Sequence, residues 1–528
     1  MYRKKKTKWS GVPRLGRGSI TLFVSLLLLL LLGLIFAGLK SMRQAAARTA
    51  VVSGLEQGLY SVFAQYDRAL FEEYGLLFID GGYGSGDLRL DEVLRETENY
   101  AEYILDPTKN NLMGGSNLLS LELNREKCSV TGYVLAVDQE NTPFIRQVCE
   151  QMKLQAGEVL LRKIAGSTSS QGENADRLRK KAGTWHAGNA REYYNRDVAQ
   201  GLCPPVPVIA RSEKKEENAG RGEKPESEGV TAEQIAAEFG GGVVPVWNNP
   251  LVSYNQLRGR GILKLVFQDE SVISGKNVNQ KLLMTERECS SGMGMQPTEW
   301  NGTLEKTLLQ EFLLADFPCY TDSAQQKVLS YQVEYVIGGK KNDRDNLKAA
   351  LSEMQLLRAA SNLTFLMTDP ERRSQADLLA AGISAALLNP ELAPFLSFAI
   401  KVAWAYGESI LDLQVLVEGG KIPLVKTADT WQLSIENIGR FSGAGREERK
   451  SSPGGLDYED YLRVLLLARS EAVLAERIMN LTELNIREQK GKENFRLDHC
   501  IDAVTIEIGA TVGNNRYQAE RSYGYDLK

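Results

Sequence analysis

Glu408 and Asp412 stand four residues apart, with Trp404 one turn earlier, in a stretch whose apolar residues recur at helical spacing. All three therefore fall on one helix face. Two carboxylates in an apolar setting suit acid–base catalysis, because burial and mutual repulsion push their pKa values apart. The same residues also suit a buried ion pair, with Arg358 or Lys426 as the cation, and the ion pair is the expectation. Asp498-His499-Cys500 sets acid, base and thiol side by side. Neighbours on a strand point to opposite faces, so these three cannot form a triad among themselves. His186, beside Trp185, is the other of two histidines and reads as a surface or interface residue.

Other motifs fail on single positions. Ser274-Gly275-Lys276-Asn277 lacks the upstream glycine and the Ser/Thr of a phosphate loop. Asp269-Glu270-Ser271-Val272-Ile273 ends in Ile where the Asp-x-Ser-x-Ser pattern of metal-dependent adhesion domains needs Ser. Gly81–Gly86 is not flanked as a dinucleotide fingerprint requires and reads as flexible. Cys128, Cys149, Cys203, Cys289, Cys319 and Cys500 form no CxxC, so metal-ligand spacing is absent. A Cys128–Cys149 disulfide stays open, since these residues flank a strand and open a helix. No catalytic, cofactor-binding or metal residue is assigned, and the expectation is a protein that is not an enzyme.

The elements that must carry these residues begin with Ile20 to Leu39, an uncharged run reaching roughly 30 Å as a helix, the thickness of a bilayer core. Arg3, Lys4, Lys5, Lys6, Lys8, Arg14 and Arg17 precede it, and only Lys40, Arg43 and Arg48 follow closely. That bias keeps residues 1–19 cytoplasmic and places the body outside, in a single-pass membrane protein that meets lipid through Ile20–Leu39. The run exceeds the apolar core of a cleaved signal and ends in Lys40 without an adjacent small-x-small site, which points to an uncleaved anchor. Arg17-Gly18-Ser19 has the shape of a pilin-like leader, although Phe23 stands where pilins carry Glu. Net charge is −4, with no basic stripe beyond the N-terminus, so nucleic acid is not an expected partner.

Beyond the anchor the fold class reads as α+β and helix-rich. Leu55, Leu59, Val62, Phe63, Tyr66, Leu70 and Tyr74 mark an amphipathic helix within residues 40–80, expected as a stalk continuing from the transmembrane helix. A first head segment, 81–202, holds a helix over Leu90–Leu105, two strands within Leu118–Val137, and helices over Thr142–Ile164 and Ala175–Gln200. Residues 203–243 contain Arg211–Gly229, nearly devoid of apolar groups, and read as a disordered charged linker. The second segment, 244–528, is mainly helical: Asp345–Leu366, Ala376–Leu388, two helices in Pro390–Leu416, and a long helix over Leu456–Leu481. Its Leu392–Tyr406 piece contains Lys401 and reads as buried core, not a second span. Tyr331–Ile337 (YQVEYVI) alternates as a half-buried strand. Val504–Val512 and Arg516–Tyr523 form a hairpin about Gly513-Asn514-Asn515, expected to join the Leu118–Val137 strands.

Several segments together resemble a family of uncharacterised Gram-positive membrane proteins. They are Gly18-Ser19-Ile20-Thr21-Leu22, Tyr66-Asp67-Arg68-Ala69-Leu70-Phe71-Glu72-Glu73-Tyr74-Gly75-Leu76, Glu334-Tyr335-Val336-Ile337-Gly338-Gly339-Lys340, Ala403-Trp404-Ala405-Tyr406-Gly407-Glu408-Ser409, Pro423-Leu424-Val425-Lys426-Thr427 and Tyr458-Glu459-Asp460-Tyr461-Leu462. The resemblance spans the chain apart from the linker. That family carries a domain of unknown function, and its genes tend to lie among tight-adherence (Tad) pilus and type II secretion-like genes, the setting of TadE and TadG pseudopilin-like proteins. It implies a structural or accessory component with protein partners in the apparatus; the expected association is through the Ile20–Phe78 helix, at residues such as Leu59 and Val62. It supplies no catalytic residue. The alternatives are an anchored enzyme on envelope polymers, using Glu408 and Asp412, and an adhesin or sensor head.

Overall fold

The computed structural model describes residues 18–109, 117–155, 250–297, 304–323, 327–438 and 450–525. Residues 1–17, the helix expected at 175–200, His186 and the expected linker at 203–243 lie outside the described residues.

Helix α1 runs unbroken from Gly18 to Phe63. Residues 20–39 are exposed throughout, and this helix is long and apolar enough to cross a membrane. Farther along, Ala47, Val51, Leu55, Leu59 and Val62 recur every three or four residues and are buried. They pack on α3 (Leu90–Leu105) and on the sheet described below, so this half of α1 is built into the head. Gly58 sets the approach: a Cβ there would meet the Thr97 carbonyl oxygen of α3 at 2.7 Å.

The single stalk helix expected within residues 40–80 is two helices. The chain breaks after Phe63, and Asp67 caps α2 (Arg68–Tyr74) by accepting the Leu70 N–H at 2.9 Å. Gly75, at φ +68°, closes α2. The apolar spacing continues across the break because both helices turn buried faces inward, so periodicity alone does not reveal it.

Among the described residues, five antiparallel strands form one sheet around β4 (Cys500–Val512). Along one edge of β4 lie β3 (Ser129–Leu135) and β2 (Glu122–Leu123); along the other lie β1 (Ile79–Asp80), at the start of β4, and β5 (Asn515–Gly524). The strands within Leu118–Val137 and the C-terminal hairpin do join one sheet. Residues on both sides of 203–243 therefore share its hydrogen bonds. Gly81–Gly86, expected to be flexible, is a series of tight turns against β4: Gly81 N–H donates to the His499 carbonyl at 3.1 Å, and a Cβ on Gly81 would reach that oxygen at 2.6 Å. A helix, α4, follows over 138–155.

The helical body comprises α5 (Pro250–Gly259), α6 (Ile262–Val266), α7 (Glu305–Asp316), α8 (Gln332–Gly338), α9 (Asp343–Thr368), α10 (Pro370–Ala386), α11 (Ala393–Val417), α12 (Tyr458–Leu466) and α13 (Glu471–Arg487). Three expectations change. Tyr331–Ile337 is not a strand: residues 332–337 form α8 and are all buried. Its alternation misleads because the polar members are buried too, Gln332 against Asn485 and Glu334 against Tyr458. The 390–416 stretch holds one long helix, α11, after a 3-10 turn over Pro390–Leu392. The long helix expected over Leu456–Leu481 breaks where Ser470 caps α13, its side chain accepting the Val473 N–H. Lys401 lies in α11, buried as expected.

Candidate functional site

The carboxylates of α11 are held by cations from two other elements. Arg358, on α9, donates Nε and Nη2 to Asp412 Oδ2, both at 3.0 Å. Lys426, on the loop after α11, reaches Asp412 Oδ1 at 2.6 Å and donates to Glu408 Oε1. The side chains of Arg358, Glu408, Asp412 and Lys426 are all 0% exposed, so the group is sealed and formally neutral. Both cations named from the sequence are present; their convergence on the same pair was not foreseen.

The remaining hydrogen-bonding capacity is taken up locally. Gln432 and Leu433 donate backbone N–H groups to Glu408 at 3.0 and 2.7 Å. Asn362 donates to Asp412 at 3.0 Å. Arg358 Nη1 donates to the Pro423 and Leu424 carbonyls, both at 2.8 Å, and to the Tyr461 hydroxyl at 3.0 Å. Trp404 and Trp431 both donate Nε1–H to the Leu433 carbonyl and meet edge to face, with ring centroids 5.6 Å apart. Burial raises the Glu408 pKa. It pushes Asp412 the same way, but Arg358 and Lys426 outweigh it and hold that carboxyl below the ordinary range. The two carboxylates thus differ as an acid and a base would, yet no substrate can reach them without opening the core.

Asp498, His499 and Cys500 stand apart in role. They lie where a 3-10 turn (Leu497–His499) enters β4, not along a strand as assumed from sequence. Asp498 accepts from Arg287 at 2.6 Å and from Arg496 at 2.6 Å, and these partners hold its pKa down at about 2 against the opposing effect of burial. Burial lowers the His499 pKa, which favours neutral imidazole, and its Nε2 is 3.9 Å from Asp498. Cys500 is fully buried, its thiol pushed well above the ordinary value by desolvation and pointed at the Arg496 carbonyl.

The five described cysteines are free thiols, so Cys128 and Cys149 are not bridged. Burial pushes them to about 11 and about 12, away from thiolate chemistry. Ser274 donates to Asp343 at 2.5 Å and Lys276 to the Lys327 carbonyl at 2.7 Å; this loop fastens the start of α9. Asp269 caps its own 3-10 turn. An open hollow lined by Thr368, Pro370, Arg373, Ser374, Asp377 and Leu378 contains one carboxylate, which Lys401 (2.8 Å) and Ser397 already engage.

Two buried networks escaped the sequence reading because their members are far apart in the chain. Arg146 of α4 donates to both Asp502 oxygens of β4 at 3.0 and 2.8 Å, with Gln147 joining at 2.9 Å. Glu483 of α13 accepts two bonds from Arg287 and one from the Leu497 N–H. No local pattern in a sequence pairs residues separated by hundreds of positions.

These features define a class: an α+β head, fastened by buried ionic networks and continuous with a helix able to span a membrane. A family model of unknown function, DUF5702, matches residues 245–512, just over half of the chain, and the protein belongs to that family. No curated protein and no solved structure shows significant similarity to it.

Proposed function

We propose that the protein is a single-pass, membrane-anchored structural or accessory component of a Tad-type pilus or type II secretion-like apparatus. Its anchor sits in lipid through Ile20–Leu39, with the N-terminus cytoplasmic and the head extracytoplasmic, where the head makes protein–protein contacts. The observation that carries this reading is the continuity of α1. One helix supplies both the exposed apolar run and a buried face of the head, so force or position at the membrane is transmitted without a hinge. The sealed Glu408–Asp412 pair supports a non-enzymatic role, since its groups bond one another and the backbone.

Leu59 and Val62, expected as an association surface, are buried against the protein's own α3 and sheet, so contacts with an apparatus belong to the outer surface of the head. The test is deletion of the gene in its own cell, with assembly of surface fibres and export followed by microscopy and fractionation. Loss of assembly, restored by the full chain, is expected; normal assembly without the protein would refute the reading.

A further inference from the structure

The position of the head relative to α1 fixes which of its surfaces faces the bilayer. Arg43 lies four residues past Leu39, about 6 Å along the helix. A leaflet's headgroup layer is itself roughly 5–7 Å deep. At that level Arg43 donates Nη2 to the Leu119 carbonyl at 3.1 Å, tying a turn of the head to the helix. The turn is locally built. Asn117 exchanges side-chain hydrogen bonds with the backbone of Leu121, both at 3.2 Å, and Leu121 is buried in the core. Ser120 takes φ +52° to close it. The result projects Leu118 outward at 85% exposure, and Met42 on α1 is likewise exposed at 71%.

The sheet brings a further cation to this end. Glu122 pairs with Thr511, and Thr511 pairs with Arg516 just past the hairpin turn. Arg516 therefore stands level with Glu122, two strand spacings, about 10 Å, away across β4. Lys40, Arg43 and Arg516 are exposed around Leu118 and Met42, with Glu122 as the neighbouring exposed acid. Exposed apolar tips set among cations, at the depth where a helix leaves the hydrocarbon, suit the interface of an anionic bilayer.

We propose that this end of the head is a second membrane contact: Leu118 and Met42 enter the headgroup layer, and Lys40, Arg43 and Arg516 meet lipid phosphates. This rests on the anchoring reading and goes beyond it, because the contact sets the head's orientation over the leaflet instead of leaving it free to swing.

The test reconstitutes the full chain in vesicles of equal parts phosphatidylcholine and phosphatidylglycerol, with photo-crosslinking benzoylphenylalanine replacing one residue at a time. Leu30 reports the span, Leu118 the proposed contact, and Leu388, 81% exposed on the α10–α11 turn, the bulk solvent. Irradiation should give lipid adducts at position 118 several-fold above those at 388. Arg43→Glu with Arg516→Glu should lower the yield at 118 several-fold while leaving that at 30 unchanged. Adducts at 30 with none above the 388 level at 118 would overturn the second contact and leave the anchor standing. Absence of adducts at 30 would overturn the anchoring reading and this inference with it.

Discussion

Lys426→Met separates an ion-pair core from a catalytic one. The substitution keeps an unbranched side chain only one atom shorter and removes one positive charge from a group with no solvent exposure. Glu408 and Asp412 then share Arg358 alone, leaving one uncompensated buried negative charge, and breaking a buried pair in this way costs about 3–5 kcal/mol. A Coulomb check agrees: unit charges about 4 Å apart at an effective dielectric near 20 interact by about 4 kcal/mol. The two backbone donors to Glu408 recover part of the loss but carry no compensating charge. The assay is urea unfolding of the full chain in detergent, followed by tryptophan fluorescence, since Trp431 sits with its ring centroid 5.8 Å from Lys426 Nζ. Adding Glu408→Gln should restore stability, so that the double variant is better than the sum of the singles by roughly 1–3 kcal/mol. A loss below about 1 kcal/mol for Lys426→Met, the level of an exposed pair, would refute the buried-clasp argument.

Two further predictions follow from buried groups. Burial raises Glu334 from its usual 4.5 to about 7, so the folded state holds this proton more tightly than the unfolded chain does. Its contribution is complete below pH 4.5 and lost as pH rises through 7, a change of about 3 kcal/mol; Glu334→Gln should flatten that limb in denaturation curves taken across the range, and an unchanged slope would exclude Glu334 as its source. Gly58→Ala should cost about 1–3 kcal/mol, because its Cβ would sit 2.7 Å from the Thr97 carbonyl oxygen, and this clash outweighs the roughly 1 kcal/mol gained in helix propensity. Gly54→Ala, whose Cβ meets Leu105 at an ordinary 3.4 Å, is the control and should be close to neutral or stabilising in the same melt.

What the sequence revealed follows how local each signal is. The Leu90–Leu105 helix ends as its residues indicate, because the following Asp106-Pro107 step stops it. The C-terminal hairpin is legible because Val504, Ile506, Ile508 and Ala510 alternate ahead of a turn at Gly513-Asn514. Spacing also identified Glu408 and Asp412 as one face, and counting apolar surroundings identified the need for a cation. By contrast, Gln332 and Glu334 imitate the wet face of a strand although both are buried, and only their distant partners Asn485 and Tyr458 make that possible. The chain leaves α12 at Leu466 and Ser470 begins α13 inside an apolar pattern that shows no interruption, because both helices turn buried faces to the same core.

The same distant partners bear on what the family-matched segment can do alone. Its strand β4 presents one edge to β3 and β2 and the start of the other to β1, all contributed by residues 79–135, which lie outside the match at 245–512. Asp502 on that strand is buried and receives its charge partner from Arg146, also outside it. Cut free of the first 155 residues, the segment would expose a strand edge and strip a buried carboxylate of its Arg146 cation, two costs that a stable domain avoids. The α1 half that covers the sheet is itself the continuation of the apolar span. Completing the fold of the head and fixing it to the exposed apolar half of α1 are therefore one event.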